Sequence, residues 1–357
     1  MFKFAKGALG TILFGWPLNA RLWITRRCNY QCRMCSIFRN EKQKEMTLDE
    51  LKTVAFNLKK LRLSQVILTG GEPFLRPDII DIIKIFKPYG FIIRIQTNAA
   101  EHVTEDLLDR AYKAGLDDIS VSLDTLDPLK QDAICAGKGV LKNAKRVLDY
   151  CSKHYADRGV IAANVVISRQ NFFELPQIIE FCKEKGIFFD PCIFTRKFSQ
   201  APQEDEQRKN VDLSLSGLDS DKVKEIFGKI DFMVKNNYPV LTTARTLKSL
   251  YDFMLGSGYK WKCKAGLISF DVAPSGRLAA CCDTIFSADQ EPVADLSSKD
   301  FISQYRSREF QEKCLRQRQD CEGCLYGCYR DPVYLAGDLR TQWESLYKSI
   351  VFKKVFN

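Results

Sequence analysis

The sequence predicts an α/β fold, in which a partial (β/α)6 barrel is followed by a small cysteine-rich domain. Short apolar segments alternate with amphipathic helical segments up to about residue 198, and clustered cysteines reappear after residue 260. Such alternation produces parallel strands joined by right-handed helical crossovers. Because six units are too few for the closed eight-fold barrel, we expect an open one.

Six segments predict strands because they are short, apolar and rich in β-branched residues. They are Arg21–Arg27, Gln65–Thr69, Phe91–Thr97, Asp118–Leu123, Ile161–Ser168 and Ile187–Phe194. The helices between them have recognisable starts, such as the capping box formed by Thr47 and Glu50. The predicted units are an apolar extension (1–20), the barrel (21–198), a polar linker with helices (199–259), the cysteine-rich domain (260–335) and a C-terminal tail (336–357).

Composition limits the class of protein. A chain of 357 residues with 45% hydrophobic residues can bury a large core. Its 14 cysteines are clustered, which favours metal binding over disulfides and indicates a reducing compartment, hence the cytoplasm. The net charge of +10 comes from basic residues spread among acidic ones, so a nucleic-acid partner is not expected.

Both ends of the chain are apolar and basic. Met1–Trp16 is interrupted by glycines and lacks a signal-peptide cleavage site, and no segment is long enough to span a membrane. The favoured interpretation is a segment that caps the barrel or packs on its outside. The alternative is an interfacial anchor, and Ile350–Phe356 has a similar character, so peripheral contact with a membrane or an apolar partner is a second expectation.

Three cysteines follow the first predicted strand in a C-x3-C-x2-C pattern: Cys28, Cys32 and Cys35. Iron–sulfur clusters are normally held by four thiolates, so a set of three leaves one iron open. In the same way, a catalytic zinc site keeps an open position that a structural site lacks. The motif therefore predicts a reactive cluster at the carboxyl end of strand one, where active sites of such barrels lie.

Polar residues also end the next three strands. Strand two ends in Gly70, Gly71, Glu72 and Pro73, where the glycines allow a close backbone approach to a ligand and the proline fixes the exit. This places a carboxylate over the barrel mouth. The following strands end in Gln96-Thr97-Asn98 and in Ser122-Leu123-Asp124.

The three-cysteine motif followed by the Gly-Gly-Glu-Pro strand end resembles the radical S-adenosylmethionine (SAM) superfamily over residues 21–194. The resemblance implies that Cys28, Cys32 and Cys35 hold a 4Fe–4S cluster whose fourth iron is chelated by SAM. It also implies that Glu72 receives the SAM ammonium group. One departure is Met34, at a position that is usually aromatic in the family; its thioether can still pack on a purine ring.

The resemblance extends to weaker positions and to the reaction. Asn98 lies where the family contacts the methionine part of SAM, and Ser122 and Asp124 where it contacts the ribose. The implied activity is reductive cleavage of SAM to a 5′-deoxyadenosyl radical, which abstracts hydrogen from a substrate. That substrate is a small molecule, a lipid-like molecule or a peptide, and the electron donor is a protein such as flavodoxin or ferredoxin.

The cysteines after residue 260 resemble the SPASM/twitch extension, which binds auxiliary iron–sulfur clusters. Because no cysteine follows Cys328, we expect a shortened, twitch-like domain with one auxiliary 4Fe–4S cluster. Its expected ligands are Cys263, Cys281, Cys321 and either Cys324 or Cys328; a second cluster would require Cys282 or Cys314.

Alternative functions remain open at this point. The second cysteine set also permits one structural zinc held by four thiolates. A non-catalytic iron–sulfur electron carrier would have closed four-thiolate sites, whereas a zinc-stapled binding module would contain zinc without labile sulfide. The sequence assigns no catalytic acid or base, and four further cysteines are expected to be ordinary buried thiols: Cys135, Cys151, Cys182 and Cys192.

Overall fold

The computed structural model describes residues 2–35, 37–40, 44–194, 213, 215, 217–257, 261, 263–282, 284–285, 292–319, 324, 326–337 and 341. Its strands form one sheet in the order β6-β5-β4-β3-β2-β1-β7-β8-β9. They are β1 (Asn19–Thr25), β2 (Gln65–Gly70), β3 (Ile92–Thr97), β4 (Asp118–Ser122), β5 (Ile161–Ile167), β6 (Phe188–Ile193), β7 (Ser269–Val272), β8 (Arg277–Ala279) and β9 (Ala294–Asp295).

Helices connect these strands. Within the described ranges they are α1 (Phe2–Phe14), α2 (Leu48–Lys60), α3 (Ile79–Phe86), α4 (Glu105–Ala114), α5 (Pro128–Cys135), α6 (Val140–Tyr155), α7 (Leu175–Glu184), α8 (Ser220–Lys235), α9 (Ala244–Met254), α10 (Phe301–Gln304), α11 (Arg308–Gln319) and α12 (Gly327–Gly337). The predicted capping box is present at the start of α2, where Thr47 and Glu50 bond to each other's backbone N–H groups.

The predicted partial barrel is confirmed. Strands β1 to β6 pair in parallel with their chain neighbours, and each lies within two residues of its predicted position. Leu22, Ile93 and Val121 are fully buried in the core between the sheet and the helices. Alternate residues such as Arg94 and Ser120 therefore face the opposite side, the barrel interior.

The sheet does not end with the barrel. Strand β7 pairs in parallel with the free edge of β1, with Arg21 opposite Asp271, and β8 and β9 continue the sheet antiparallel. The sequence analysis did not predict these strands, because they are only two to four residues long. The unit boundary at residue 260 stays a prediction, and the sheet crosses it; residues 199–212 of the predicted linker lie outside the described ranges.

Helix α1 packs beneath the barrel. Ala8 is buried against Leu18 and Ile268, which immediately precede β1 and β7. Parallel strands share one direction, so α1 lies at their amino ends, opposite the end from which the three-cysteine segment leaves β1. None of the helices in the described part of the chain has the length and apolar character needed to cross a lipid bilayer.

Candidate active site

The three cysteines of the first motif lie on the loop that follows β1, and each is half-buried. The loop is held on the end of α5 by two backbone hydrogen bonds. Gln31 N–H donates to the Cys135 carbonyl at 3.2 Å, and Arg33 N–H donates to the Ile134 carbonyl at 3.0 Å. Because the loop backbone is fixed at two points, the cysteines are positioned by the barrel rather than by a free segment.

The base of this loop is closed by Glu45, which returns to the end of β1. Its carboxylate accepts hydrogen bonds from Thr25 Oγ1 at 2.5 Å and from Arg27 Nη2 at 3.0 Å. Arg76, after strand β2, adds a bond from Nη1 to the Ile24 carbonyl at 3.1 Å. These charge-assisted contacts join both ends of the cysteine loop to the barrel.

Met34 lies among the side chains that support the loop. It packs with Cys28 and Cys32 against a small buried cluster, Tyr30, Ala100, Ile134, Cys135 and Val140. Burial raises the pKa of Cys28 to about 12, so this thiol is protonated at neutral pH until a metal displaces the proton.

The chemistry of the donor set fits an iron–sulfur cluster, because three thiols lie on one loop. No three His, Cys, Asp or Glu side chains within the described ranges are close enough to share one metal ion. In a 4Fe–4S cube each thiolate binds a different iron, so the three sulfurs need not converge on one point.

The two glycines after β2 are required by a close backbone approach. A Cβ atom on Gly70 would lie 2.2 Å from the Thr25 carbonyl oxygen, and one on Gly71 would lie 2.1 Å from that of Arg27. Gly71 N–H also donates to the Thr25 carbonyl at 2.9 Å. The glycines therefore allow the end of β2 to lie close against the end of β1, directly before Cys28, and their contact with SAM stays a prediction.

The Glu72 carboxylate is fully buried beneath the barrel mouth. It accepts hydrogen bonds from Phe74 N–H at 3.0 Å, from Asn98 N–H at 2.7 Å and from Thr97 Oγ1 at 2.9 Å. Burial raises the pKa of Glu72 to about 7, although these donors act in the opposite direction. Thr97, which the sequence analysis did not single out, is thus part of the same site.

Asn98 joins the carboxylate to the cysteine loop. Its backbone N–H bonds to Glu72, and its side-chain Nδ2 donates to Asn29 Oδ1 at 2.9 Å and lies 3.6 Å from Cys28 Sγ. Three predicted site residues are therefore in one connected network: Cys28, Glu72 and Asn98.

The predicted ribose contacts are not part of this network. Asp124 is buried, and its Oδ1 accepts from Val166 N–H at 2.8 Å, which ties the end of β4 to β5. Burial raises the pKa of Asp124 to about 7. Ser122 is half-buried at the end of β4, on the same strand face as Ser120. Both assignments stay predictions.

The second cysteine set is described in part. Cys263, Cys281 and Cys324 pack around one buried cluster, Trp23, Ile37, Ala265, Cys282, Tyr326 and Tyr329, which Cys35 also contacts. Cys321 and the side chain of Cys328 lie outside the described residues. Cys314 is fully buried and its thiol contacts the Gly266 carbonyl, as for an ordinary core thiol.

A buried ionic network connects the barrel to the second cysteine set. Arg21 Nε and Nη2 bind the two oxygens of Asp271 at 2.8 and 2.7 Å, and Trp23 Nε1 donates to Oδ1 at 2.8 Å. Tyr329 donates its hydroxyl to the same carboxylate and accepts from Cys282 N–H at 2.6 Å. The sequence analysis missed this network; its only local signal was a charged residue in the apolar strand β7.

An open parallel barrel with three cysteines on the loop after β1 and a buried Gly-Gly-Glu-Pro carboxylate defines an enzyme class that uses an iron–sulfur cluster and a nucleotide-like cofactor. Residues 23–182 match the model of the Radical SAM superfamily. The chain belongs to this superfamily. It is therefore an enzyme, and its cofactors are SAM and the 4Fe–4S cluster that binds it.

Curated relatives include cyclases of two kinds. The chain is 32% identical over 181 residues to GTP 3′,8-cyclase of Marinobacter nauticus, covering 49% of this chain and 53% of that protein. It is 31% identical over 170 residues to PqqA peptide cyclase of Bradyrhizobium diazoefficiens, covering 47% and 43%. The chain thus spans about half the length of these relatives.

A solved structure shares the fold. Streptococcus suis SuiB bound to its precursor peptide SuiA superposes with a TM-score of 0.65 at 16% identity, covering 87% of this chain and 69% of SuiB. At this identity the similarity supports the fold alone.

Proposed function

We propose that this enzyme reductively cleaves SAM to a 5′-deoxyadenosyl radical and uses it to abstract hydrogen from a polar substrate bound inside the barrel. The observation that carries the proposal is the connected network of Cys28, Asn98 and Glu72 at the barrel mouth. In this network Asn98 contacts the predicted cluster ligand Cys28 through its side-chain amide and the predicted SAM-binding carboxylate of Glu72 through its backbone N–H.

The residues of the chain have distinct roles in this proposal. Cys28, Cys32 and Cys35 hold the cluster, and the held loop fixes their positions. Glu72 binds the SAM ammonium group, and Thr97 keeps the carboxylate oriented by bonding to both of its oxygens. The chemistry supplied by the bound cluster and SAM is radical formation, while the protein orients the cofactor and excludes water.

An auxiliary 4Fe–4S cluster belongs to the proposal as well. Cys263, Cys281 and Cys324 pack against one group of buried residues, which supports a common site, and Cys35 packs against the same group. The proposed ligands are Cys263, Cys281, Cys321 and a fourth cysteine, which is either Cys324 or Cys328. An electron donor such as flavodoxin or ferredoxin would reduce the cluster at Cys28, Cys32 and Cys35.

The side chains inside the barrel are charged or polar, which favours a polar substrate over a lipid. Arg94 lies 3.4 Å from Asp118 and 3.5 Å from Asp190, and the Asp190 side chain is 24% exposed. Ser120 is 1% exposed, and its hydroxyl has no hydrogen-bond partner among the described residues. A buried polar group without a hydrogen-bond partner lowers the stability of the protein unless a ligand pairs with it.

Asp190 has fewer hydrogen-bond partners than Asp118, the other carboxylate bonded to Arg94. Asp118 is also bonded by Val160 N–H at 2.9 Å and Gln65 Nε2 at 3.3 Å, whereas Arg94 is the one partner seen for Asp190 within the described ranges. Burial raises the pKa of Asp190 to about 6, so at neutral pH it is mostly ionised and accepts hydrogen bonds. A hydroxyl or amine of the substrate is the group that fits.

We expect Glu72→Gln to weaken SAM binding about 10- to 100-fold, because a charge-assisted hydrogen bond of about 1.5–3 kcal/mol is lost. The measurement is equilibrium dialysis of SAM against the anaerobically reconstituted protein, with 5′-deoxyadenosine formation under dithionite as a second readout. Glu101→Gln removes the same charge from an exposed residue that follows β3, and it should leave both unchanged. Equal SAM affinity in Glu72→Gln and wild type would refute this assignment.

Asp190→Asn tests the substrate class. We expect a water-soluble extract of the source cells to stimulate 5′-deoxyadenosine formation by the wild type, and the variant to lose about 10- to 100-fold of that stimulation. The basal rate without extract should stay the same, since Asp190 lies on β6 and is paired with Arg94 rather than with the cysteine loop or Glu72. Stimulation by the organic-solvent extract, and not by the aqueous one, would show that the substrate is lipid-like.

A further inference from the structure

Helix α1 exposes an apolar face that the barrel does not cover. Leu9 is 46% exposed, Leu13 is 61% exposed and Phe14 is 59% exposed. Leu9 and Leu13 are one helical turn apart, so they lie on the same side of the helix. Phe14 continues this surface by stacking on Trp16, with ring centroids 4.9 Å apart. These four residues form what we call the α1 face.

The opposite side of α1 is fixed to the protein. Ala8 is 4% exposed in the cluster with Leu18 and Ile268, and Val333 of α12 packs against the same cluster. The helix is therefore part of the folded body, and its exposed side chains are held outward. Because Leu18 and Ile268 precede β1 and β7, the α1 face points away from the barrel mouth.

Positive charge surrounds the α1 face. The Arg62 guanidinium lies 4.5 Å from the Trp16 ring centroid, and Arg306 donates to the Gly15 carbonyl. Neither arginine forms an ion pair with any residue that the structure describes. Because arginine stays protonated in proteins, both side chains add positive charge at the edge of the α1 face.

The segments at both ends of the sequence are also positively charged. The first acidic residue of the chain is Glu41, and α1 itself contains Lys3 and Lys6. The last thirteen residues, 345–357, contain three lysines and no acid. An apolar face with a basic rim, on a helix that contains no Asp or Glu, matches an anionic surface in charge as well as in polarity.

We propose that the α1 face docks on an anionic lipid surface, with Leu9, Leu13 and Phe14 among the acyl chains and Arg62 and Arg306 at the headgroups. Trp16 lies at the boundary, where its ring is suited to both environments. In this orientation the barrel mouth faces the aqueous side, so a polar substrate reaches the site without crossing the membrane. This inference goes beyond the proposed function and does not depend on it.

The test is sedimentation of the full reconstituted protein with vesicles. We expect the wild type to sediment with mixed phosphatidylcholine–phosphatidylglycerol vesicles, to bind pure phosphatidylcholine vesicles about tenfold less, and to be released by high salt. The double variant Leu13→Glu with Phe14→Glu should lose about tenfold or more of the binding, and Arg62→Glu should lose part of it. Both changes are at exposed positions, so circular dichroism should show an intact fold.

The control is Phe232→Glu, which makes one of the same two substitutions, Phe to Glu, at an aromatic residue that is 63% exposed on α8. It should bind the mixed vesicles as the wild type does. An equal loss in Phe232→Glu, or wild-type protein that ignores both kinds of vesicle, would overturn the proposal. So would a wild-type dimer in sedimentation velocity that the α1 double variant converts to monomer without any vesicle binding, because the face would then bind a second copy of the chain.

Discussion

Alanine at Cys28, Cys32 and Cys35 together should reduce 5′-deoxyadenosine formation by at least about a thousandfold and remove about four irons per chain, the content of one cube. The physical reason is that these thiolates are the only protein ligands proposed for that cluster, so nothing else retains it. Cys32→Ala alone should abolish the product as well, since it removes one of the three proposed ligands from a loop whose backbone is hydrogen-bonded to α5 at Gln31 and Arg33. Iron and sulfide analysis after anaerobic reconstitution, with chromatography of the nucleoside product, measures both.

Cys151→Ala is the matched control, because it removes a fully buried thiol from α6, far from the cysteine loop in sequence. It should keep both the iron content and the product. The triple variant should still hold about four irons if one auxiliary cube is bound. Eight irons in that variant would indicate two auxiliary clusters, and 5′-deoxyadenosine from Cys32→Ala would contradict the proposed role of the loop.

The same measurements separate the alternative functions. A zinc-stapled module would purify with zinc and without acid-labile sulfide. The triple variant would then alter neither SAM binding nor the amount of 5′-deoxyadenosine formed. An electron carrier would hold closed four-thiolate sites and bind no SAM. Membership of the Radical SAM superfamily favours neither alternative.

Much of the barrel was predictable because its signals are local. Strands β2 to β6 are short runs rich in β-branched residues, and some of the helices between the strands have marked starts, as Thr47 marks α2 and Thr104 marks α4. The cysteine motif and Glu72 were predictable for the same reason, since spacing along the chain is enough to recognise them. Strand β1 was predicted two residues late, because its first residues, Asn19 and Ala20, carry no β-branched side chain.

What the sequence did not reveal depends on partners distant in the chain. Glu72 was expected over the barrel mouth, but donors from the end of β3 hold it fully buried, and nothing in the Gly-Gly-Glu-Pro segment encodes them. The pairing of β7 with β1 joins positions 250 residues apart, Arg21 and Asp271. A four-residue strand has too little periodicity to predict such a contact.

Asp271→Asn should destabilise the protein by about 3–5 kcal/mol, because it removes the charge that compensates a buried guanidinium. The Arg21 and Asp271 side chains are 6% and 0% exposed, so solvent cannot replace the lost partner. The substitution also places an amide N–H₂ against donors from Arg21, Trp23 or Tyr329, which leaves at least one of them unsatisfied. Urea unfolding of the metal-free protein measures the free energy of unfolding.

Asp231→Asn is the control, since the ion pair of Asp231 with Lys235 on α8 is exposed and worth about 1 kcal/mol at most. A loss below that value in Asp271→Asn would show that the buried network is not what joins β1 to β7. The double change Arg21→Met with Asp271→Leu should recover most of the stability, because buried ion pairs are often replaceable by apolar pairs of similar volume. This double variant lacks the carboxylate that orients the Tyr329 hydroxyl. If it is stable but loses the auxiliary iron, the hydrogen bond from Cys282 N–H to Tyr329 is what connects the buried network to the second cysteine set.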